Sequence, residues 1–328
     1  MNKSQSKKLL LDEVRDVMRR GYYSIHTERS YCDWIKRYVF FHNMKSREDL
    51  KGGEEKVESF LTHLAVESNV APATQNQAMN ALVFLYKKVL KQPFEKPINA
   101  IRSIRKINVP VVLSQGETTQ VIVLMSGVPQ LFVKLLYGCG LRIMECLRLR
   151  VQDIDVEMKQ VRVKSGKGAK DRITTFPATI VPLLSEHLQR IRIIHEDDLA
   201  KGFGEVSMPG ALAKKYPNAS KEWGWQYVFP SINRSVDPRS GKIKRHHIDP
   251  STINKSIKRA VKQTDITKRV TAHTFRHSFA THLLQRGTDI RTIQALMGHK
   301  DVSTTMIYTH VLQQGGQGVK SPLDDLAL

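Results

Sequence analysis

The sequence is short of acid. Asp and Glu number 31 against 52 Lys and Arg, a formal net charge of +21 over 328 residues. Cysteine is nearly absent. Cys32, Cys139 and Cys146 form an odd set at irregular spacing, which excludes a disulfide framework and a zinc knuckle and fits a reducing, cytoplasmic compartment. No apolar run approaches the ~20 residues that a membrane-spanning helix needs. The opening stretch, "MNKSQSKKLLLDEVRDVM", lacks the apolar segment of a secretory signal. Internal repeats and low-complexity tracts are missing as well.

The acid deficit is spread along the chain. Residues 1–107 carry 20 basic and 12 acidic side chains, and residues 108–328 carry 32 and 19. A basic tail would concentrate the charge at one end. Two basic halves suggest two surfaces facing one long polyanion, most simply nucleic acid. The length suffices for two domains with separate cores.

Apolar residues at helical spacing predict a bundle in the first hundred residues. One stripe is Tyr31, Trp34, Ile35, Tyr38 and Val39; a second is Val57, Phe60, Leu61, Leu64 and Ala65; a third is Ala78, Met79, Leu82, Leu85, Tyr86 and Val89. The aromatics read as core. The third helix ends basic, at Lys87, Lys88 and Lys91; it either lies along a DNA groove or is simply solvated. "KQPFEKPINAIRSIRKINVPVVLS" breaks the pattern with three prolines and with Arg102, Arg105 and Lys106, and reads as an extended basic stretch. This gives a helical domain over 1–107, a basic linker at 108–112 and a second domain over 113–328. Helices are expected there around 114–125, 130–149, 178–200, 251–263, 273–286, 289–297 and 303–309. Two β-branched runs flanking "SGKGAKD" predict a hairpin. The fold class is mainly α with a small β-sheet.

"TAHTFRHSFATH", residues 271–282, sets His273, Arg276 and His277 within five residues with no acid beside them. The two histidines have a zinc-ligand spacing, yet a cation sits between them. A helical metallohydrolase would read HExxH, and no cysteine pair completes four ligands. Clustered carboxylates for magnesium are missing too, so no metal and no other cofactor is expected. Fixed cationic donors are the other way to meet charge building on phosphoryl oxygens during displacement at phosphorus. Arginine's planar fork suits that task. Arg142 follows Gly138 and Gly140, where the backbone can approach a phosphate, and Glu145 would orient it. Lys167, at the tip of "GKG", suits protonation of a leaving oxygen. His299 follows a glycine helix stop and can donate a further hydrogen bond. Tyr308 lies on a short helix that Ser303 would cap. With a pKa near ~10 it is neutral at rest and needs cationic neighbours to attack as phenoxide. Each residue alone has a bland reading, a core tyrosine or a plain turn. The combination is the signal.

In their order and spacing, Arg142 with Glu145, the GKG of Lys167, the HxxRH of 273–277, the Gly-His of 298–299 and Tyr308 closely resemble the tyrosine recombinases, the phage-integrase-like family, over nearly the whole chain. The resemblance implies a SAM-like core-binding bundle followed by a catalytic domain, together a C-shaped clamp on DNA. It implies Arg142, Lys167, His273, Arg276 and His299 as activating residues, Tyr308 as nucleophile, Glu145 as support and His277 as structural. Phe275 stands where leucine is commoner. Attack on a DNA phosphate would give a 3′-phosphotyrosine and a free 5′-hydroxyl. A 5′-hydroxyl from another strand would then rejoin it without metal or ATP.

Residues 202–226, "GFGEVSMPGALAKKYPNASKEWGWQ", form a long polar insertion with Phe203, Tyr216, Trp223 and Trp225, and "KRHHIDP" follows with His246 and His247. Aromatics and imidazoles beside basic side chains suit stacking on unpaired bases; a small satellite core is the alternative. "LAKKYPNA", "YVFPS", "SVDPRSG" and "RHHI", and the end "YTHVLQQGGQGVKSPLDDL", resemble the integron integrases. That resemblance implies integration and excision of mobile gene cassettes, at duplex attachment sites and at folded single-stranded cassette sites. Trp225, His246 and His247 would hold extrahelical bases, and Lys164, Lys170 and Trp223 are further expected DNA contacts. Gly116 replaces the acidic helix start of relatives and is expected to loosen that helix. A homotetramer on two DNA sites is expected, since two duplexes require four strand cleavages; free protein would be a monomer or dimer. The tail beyond Tyr308 is a candidate for exchange between neighbours. The expected location is cytoplasmic, at the nucleoid. Rival readings are a generic phage-type recombinase on duplex sites, a topoisomerase with the same catalytic set, and a non-catalytic architectural DNA-binding protein.

Overall fold

The computed structural model describes residues 9–104, 110–164, 171–208 and 210–313. The chain divides into two units, Met1–Ile107 and Asn108–Leu328.

The first unit holds α1 (Leu10–Arg20), α2 (Ile25–Phe41), α3 (Gly53–Val66) and α4 (Pro72–Phe84). Ser24 starts α2 by accepting from the Thr27 amide. Pro72 opens α4, where a missing N–H costs nothing. The apolar stripes meet in one core in which Val14, Met18, Ile35, Tyr38, Val57, Leu61, Ala78 and Leu82 are wholly buried. The aromatics belong to that core: the Tyr38 and Tyr86 hydroxyls are 2.9 Å apart, and Tyr86 also donates to the Leu50 carbonyl. The third helix differs from its expected form. After Phe84 it widens into a π-helical turn, Leu85–Leu90, and stops at Lys91 with φ +60°. Nothing in the apolar spacing signals the wider turn, because Leu85, Tyr86 and Val89 are buried in it as they would be in an α-helix.

The second unit opens with α5 (Gln115–Val123). Ser114 and Glu117 form a capping box at its start, and Glu117 also receives Lys268. The carboxylate of the first turn is therefore Glu117, and α5 forms with Gly116 within it. The single helix expected over 130–149 is two: α6 (Gly127–Cys139) stops at Gly140, φ +61°, and α7 (Ile143–Leu147) begins afresh. A Cβ on Gly138 would lie 2.3 Å from Pro177, and one on Gly140 would lie 2.4 Å from the Phe279 ring. These glycines serve close packing, which corrects the expectation that they admit a phosphate.

Next come β1 (Ile154–Asp155), β2 (Gln160–Val163) and β3 (Arg172–Thr175), an antiparallel sheet in that order with Val163 opposite Arg172. The hairpin tip, with Lys167 and Lys170, lies outside the described residues. Then follow α8 (Val181–Ala200), α9 (Gly210–Lys215), the ribbon β4 (Ser235–Val236) and β5 (Ile243–Lys244), α10 (Pro250–Val261), α11 (Ala272–Gln285), α12 (Ile290–Met297) and α13 (Ser303–Gln313). The core gathers Phe132, Leu136, Phe229, Ile253, Ile257 and Phe275, all wholly buried. Each such side chain contributes about 1.5–3 kcal/mol. α11 threads this core: Phe275, Ser278 and Ala280 have no exposed surface, and Ser278 Oγ accepts the Leu113 amide. No helix among the described residues is long and apolar enough to cross a membrane.

Candidate active site

Four stretches converge: the break between α6 and α7, the start of β3, the first half of α11, and the loop from α12 into α13. Arg276 is the deepest cation there, 3% exposed. Its guanidinium donates to the Gly140 and Met297 carbonyls, each at 2.5 Å, and to His299 Nε2 at 3.2 Å. Both carbonyls end helices and have no acceptor role inside them. The stops at Gly140 and Gly298, of which sequence reading picks out only the second, thus leave free the two oxygens that hold the arginine. Burial and the charge of Arg142 lower the Arg276 pKa to about 9, with Glu145 opposing. Arg276 remains a cation at neutral pH.

Among the described residues Glu145 is the one anion of the cluster. It accepts the Arg142 amide at 2.8 Å and Arg142 Nη1 at 2.7 Å. Arg172 grips the same carboxylate with two bonds, at 2.9 and 2.7 Å, and Arg276 stands 3.6 Å away. Burial would raise this carboxyl. The bonds and charges of Arg172 and Arg142 outweigh burial and hold it at about 2. Sequence reasoning missed Arg172. It also donates to the Leu296 carbonyl and lies so close to Gly298 that a Cβ there would sit 2.8 Å from its Cδ. The available signal was a cation opening a β-branched strand straight after the GKG tip. Arg142 differs from its partners in keeping 40% of its side chain exposed, with Nη2 making only a long 3.4 Å bond to the Gly298 carbonyl.

A cavity of about 440 Å³ is lined by Arg142, His273, Arg276, His277, His299 and Tyr308. His273 is exposed at it, and burial with Arg276 and Arg142 lowers its pKa. A guanidinium only donates, so His299 Nε2 is an acceptor here and its Nδ1–H donates to Thr305 Oγ1 at 2.9 Å. This corrects the expectation of a donor: His299 donates into the cavity only after Arg276 releases Nε2 and a proton arrives there. Burial, then Arg276, Arg142, Arg172 and His277, bring its pKa down to about 4.

Tyr308 is 3% exposed. Burial pushes its phenol up to about 12, against the pull of Arg276 and Arg142. Its ring stacks on His299 at 6.3 Å and 16°. Its hydroxyl lies 2.9 Å from Nδ1 of His277, the residue expected to be structural only. Burial, His273 and Arg276 lower the His277 pKa to about 4. The helix bearing Tyr308 is not capped by Ser303. Ser303 is its first residue, and the Asp301 carboxylate accepts the Ser303 amide at 2.9 Å. Among the described residues no group of three or more His, Cys, Asp or Glu is placed to hold a metal ion.

The expected DNA contacts divide. Lys87, Lys88, Lys91 and Arg102 are exposed. Arg105, Lys106 and Lys170 lie outside the described residues, as does the tail from 314 on. Lys164 is committed inward: its ammonium pairs with the buried Asp153 at 2.8 Å and lies over the Trp225 ring at 4.7 Å. Its side chain is still 35% exposed. The insertion is pinned from within. Gln226, buried, donates toward the carbonyls of Gly204, Ser220 and Glu222, and Val206 and Ala219 are buried beside it. Trp223 faces α8, near His195 and Arg192. Arg150 donates to the Trp225 carbonyl and lies 3.6 Å over the Tyr227 ring, whose other neighbour is His246, stacked at 5.4 Å. His247 abuts His246 at 4.0 Å, and burial lowers its pKa to about 4. A satellite core and a row of aromatic faces are thus both present.

The profile of the Phage integrase family matches residues 124–314, and that of the phage integrase N-terminal SAM-like domain matches 10–96. Proteins of Escherichia coli and Pseudomonas aeruginosa, each named integrase/recombinase, are 46% identical over 319 residues, 97% of this chain and 94% of theirs. A tyrosine recombinase of Pseudothermotoga lettingae is 30% identical over 301 residues, 89% of each chain. The XerH site-specific recombinase bound to its difH substrate shares the fold with a TM-score of 0.55 at 20% identity, covering 95% of this chain and 84% of that one. A transposon integrase in complex with transposon right end DNA does so at 0.57 and 14% identity, covering 95% and 100%. Helical bundle, small sheet and cation-lined cavity with a buried tyrosine accord with these matches, and the chain belongs to the phage integrase family as a site-specific tyrosine recombinase.

Proposed function

We propose that Tyr308 is the nucleophile of this recombinase and that Arg142, Lys167, His273, Arg276 and His299 activate the DNA phosphate it attacks. The observation that carries this reading is the convergence of two guanidinium groups, three imidazoles and one phenol on a single cavity of about 440 Å³. A phosphodiester entering it replaces the interactions of the exposed edge of Arg142 and meets Arg276 from the far side. Glu145 keeps both arginines in place. The Tyr308 oxygen bonds to phosphorus, the bond from phosphorus to the 5′-oxygen breaks, and Lys167 protonates that oxygen. The 3′-phosphotyrosine keeps a diester linkage, so a second 5′-hydroxyl reseals it by the reverse steps. Loss of one fixed donor costs about 10²–10³ in rate.

The substrate reading is that of an integron integrase, which joins cassettes through duplex attachment sites and folded single-stranded cassette sites as a homotetramer. It is supported by the order of motifs in the insertion and by the row formed by Arg150, Tyr227 and His246, whose last member is exposed. A stacked extrahelical base contributes about 1–3 kcal/mol.

The test is covalent trapping without divalent metal. The protein is mixed with a nicked attachment-site duplex and with each strand of a folded cassette site, and run on a denaturing gel beside Tyr308→Phe. An adduct that needs Tyr308 and favours one folded strand supports both parts. An adduct on plain duplex alone keeps the nucleophile and removes the cassette reading. Binding without any adduct points to an architectural protein.

A further inference from the structure

A phenol raised to about 12 by burial is a poor nucleophile until something takes its proton. Among the described residues the Tyr308 hydroxyl makes one hydrogen bond, to Nδ1 of His277 at 2.9 Å. His273 lines the same cavity without a hydrogen bond to that hydroxyl, and two further groups near it are already engaged. His299 lies face to face with the Tyr308 ring, and its two nitrogens engage Arg276 and Thr305. Glu145, the only carboxylate of the cluster, is held by Arg142 and Arg172. Neighbouring positions on a helix are ~100° apart. Arg276 therefore points to the helix-end carbonyls while His277, next in sequence, reaches α13.

We propose that His277 is a catalytic residue that accepts the Tyr308 proton at Nδ1 during cleavage and returns it during rejoining. The proposal rests on Tyr308 being the nucleophile. In the forward step the O–H bond of Tyr308 breaks and its proton passes to Nδ1. The phenolic oxygen bonds to phosphorus, and the 5′-oxygen leaves and takes a proton from Lys167. The diester is a monoanion before and after the step, and the extra charge of the transition state falls on the phosphoryl oxygens, where fixed cations meet it.

The surroundings suit that task. His277 faces His273 and Arg276 on its own helix, Tyr308 on α13, His299 in the loop before it, and Arg142 ahead of α7. None is an anion at neutral pH, which keeps the resting imidazole neutral, and in the tautomer protonated at Nε2 its Nδ1 lone pair faces the hydroxyl. A phosphodiester seated between Arg142 and Arg276 offsets their charge. The imidazole then becomes a stronger base once substrate is in place.

The experiment is single-turnover cleavage of a nicked attachment-site duplex by full-length His277→Ala and His277→Asn, with DNA binding measured on the same preparations. Asn places an acceptor near the position of Nδ1 and takes up no proton. Both variants are expected to bind DNA and to cleave ~10²–10⁴-fold more slowly than the parent. Added imidazole is expected to restore His277→Ala, faster with more basic imidazoles, and to leave His277→Asn slow. Cleavage by His277→Asn within a few-fold of the parent overturns the proposal, since a hydrogen bond alone then suffices. So does a slow, DNA-bound His277→Ala that no imidazole restores. Tyr308→Phe runs beside them: an adduct formed without the Tyr308 hydroxyl overturns the nucleophile itself, a different failure.

Discussion

Glu145→Gln isolates the one negative charge of the site while keeping its shape. Three guanidinium groups surround that carboxylate, two of them in direct hydrogen bonds. Its side chain is 16% exposed, so solvent screens these pairs weakly. Lowering a carboxyl from 4.5 to about 2 corresponds to about 3 kcal/mol of native stability at neutral pH. Breaking a buried pair by removing one partner costs about 3–5 kcal/mol, a consistent range. The native-state value lies below that of the unfolded chain. The contribution is therefore complete above pH 4.5, falls to about 1 kcal/mol at pH 3, and is gone below about 2. Calorimetry of the full chain, following the transition of the 108–328 unit, is expected to show the variant melting about 6–12 °C lower at pH 7. The gap should narrow by about 2 kcal/mol between pH 7 and pH 3. A variant within about 1 kcal/mol of the parent at pH 7, or a gap unchanged at pH 3, would show that the three arginines do not depend on this carboxylate.

Arg172→Ala should lose about 3 kcal/mol by urea denaturation, and Arg172→Lys should recover only part of it, since an ammonium cannot reproduce the two-bond grip on Glu145. Gly140→Ala should cost about 2–4 kcal/mol in the same assay, because it forces an L side chain to positive φ against Phe279. Gly116→Ala, with only Ser114 Oγ near its added carbon, should instead gain up to about 0.5 kcal/mol by favouring α5. Lys167→Ala should cleave ordinary DNA slowly yet regain near-parental cleavage on a strand with sulfur at the 5′-bridging position, because a thiolate leaves without a proton. Failure of that substrate to restore the variant assigns the leaving-group proton to another residue.

Residue types that the chemistry requires stood out in the sequence. Arginines, histidines and a tyrosine at fixed spacing point to phosphoryl transfer before any contact is known, and helical periodicity located the elements that carry them. The misses share a cause: each depends on what another segment brings. Lys164 reads as a plain DNA contact, and the sequence hides that it also pairs with the buried Asp153. Gly138 and Gly140 read as room for a phosphate until Pro177 and Phe279 fill that room. Arg172 goes unnoticed and His277 reads as structural because their partners lie 27 and 31 residues away in sequence. The acid deficit has a local counterpart that ties these together. Glu145 alone balances Arg142, Arg172 and Arg276. One carboxylate is enough to fix the geometry of three guanidinium groups and too little to neutralise them. The cavity keeps an excess of positive charge, which lowers the pKa of its imidazoles and, on the proposed function, favours a DNA phosphate there. A second carboxylate would stabilise the resting protein further and would at the same time occupy, electrostatically, the place of the substrate.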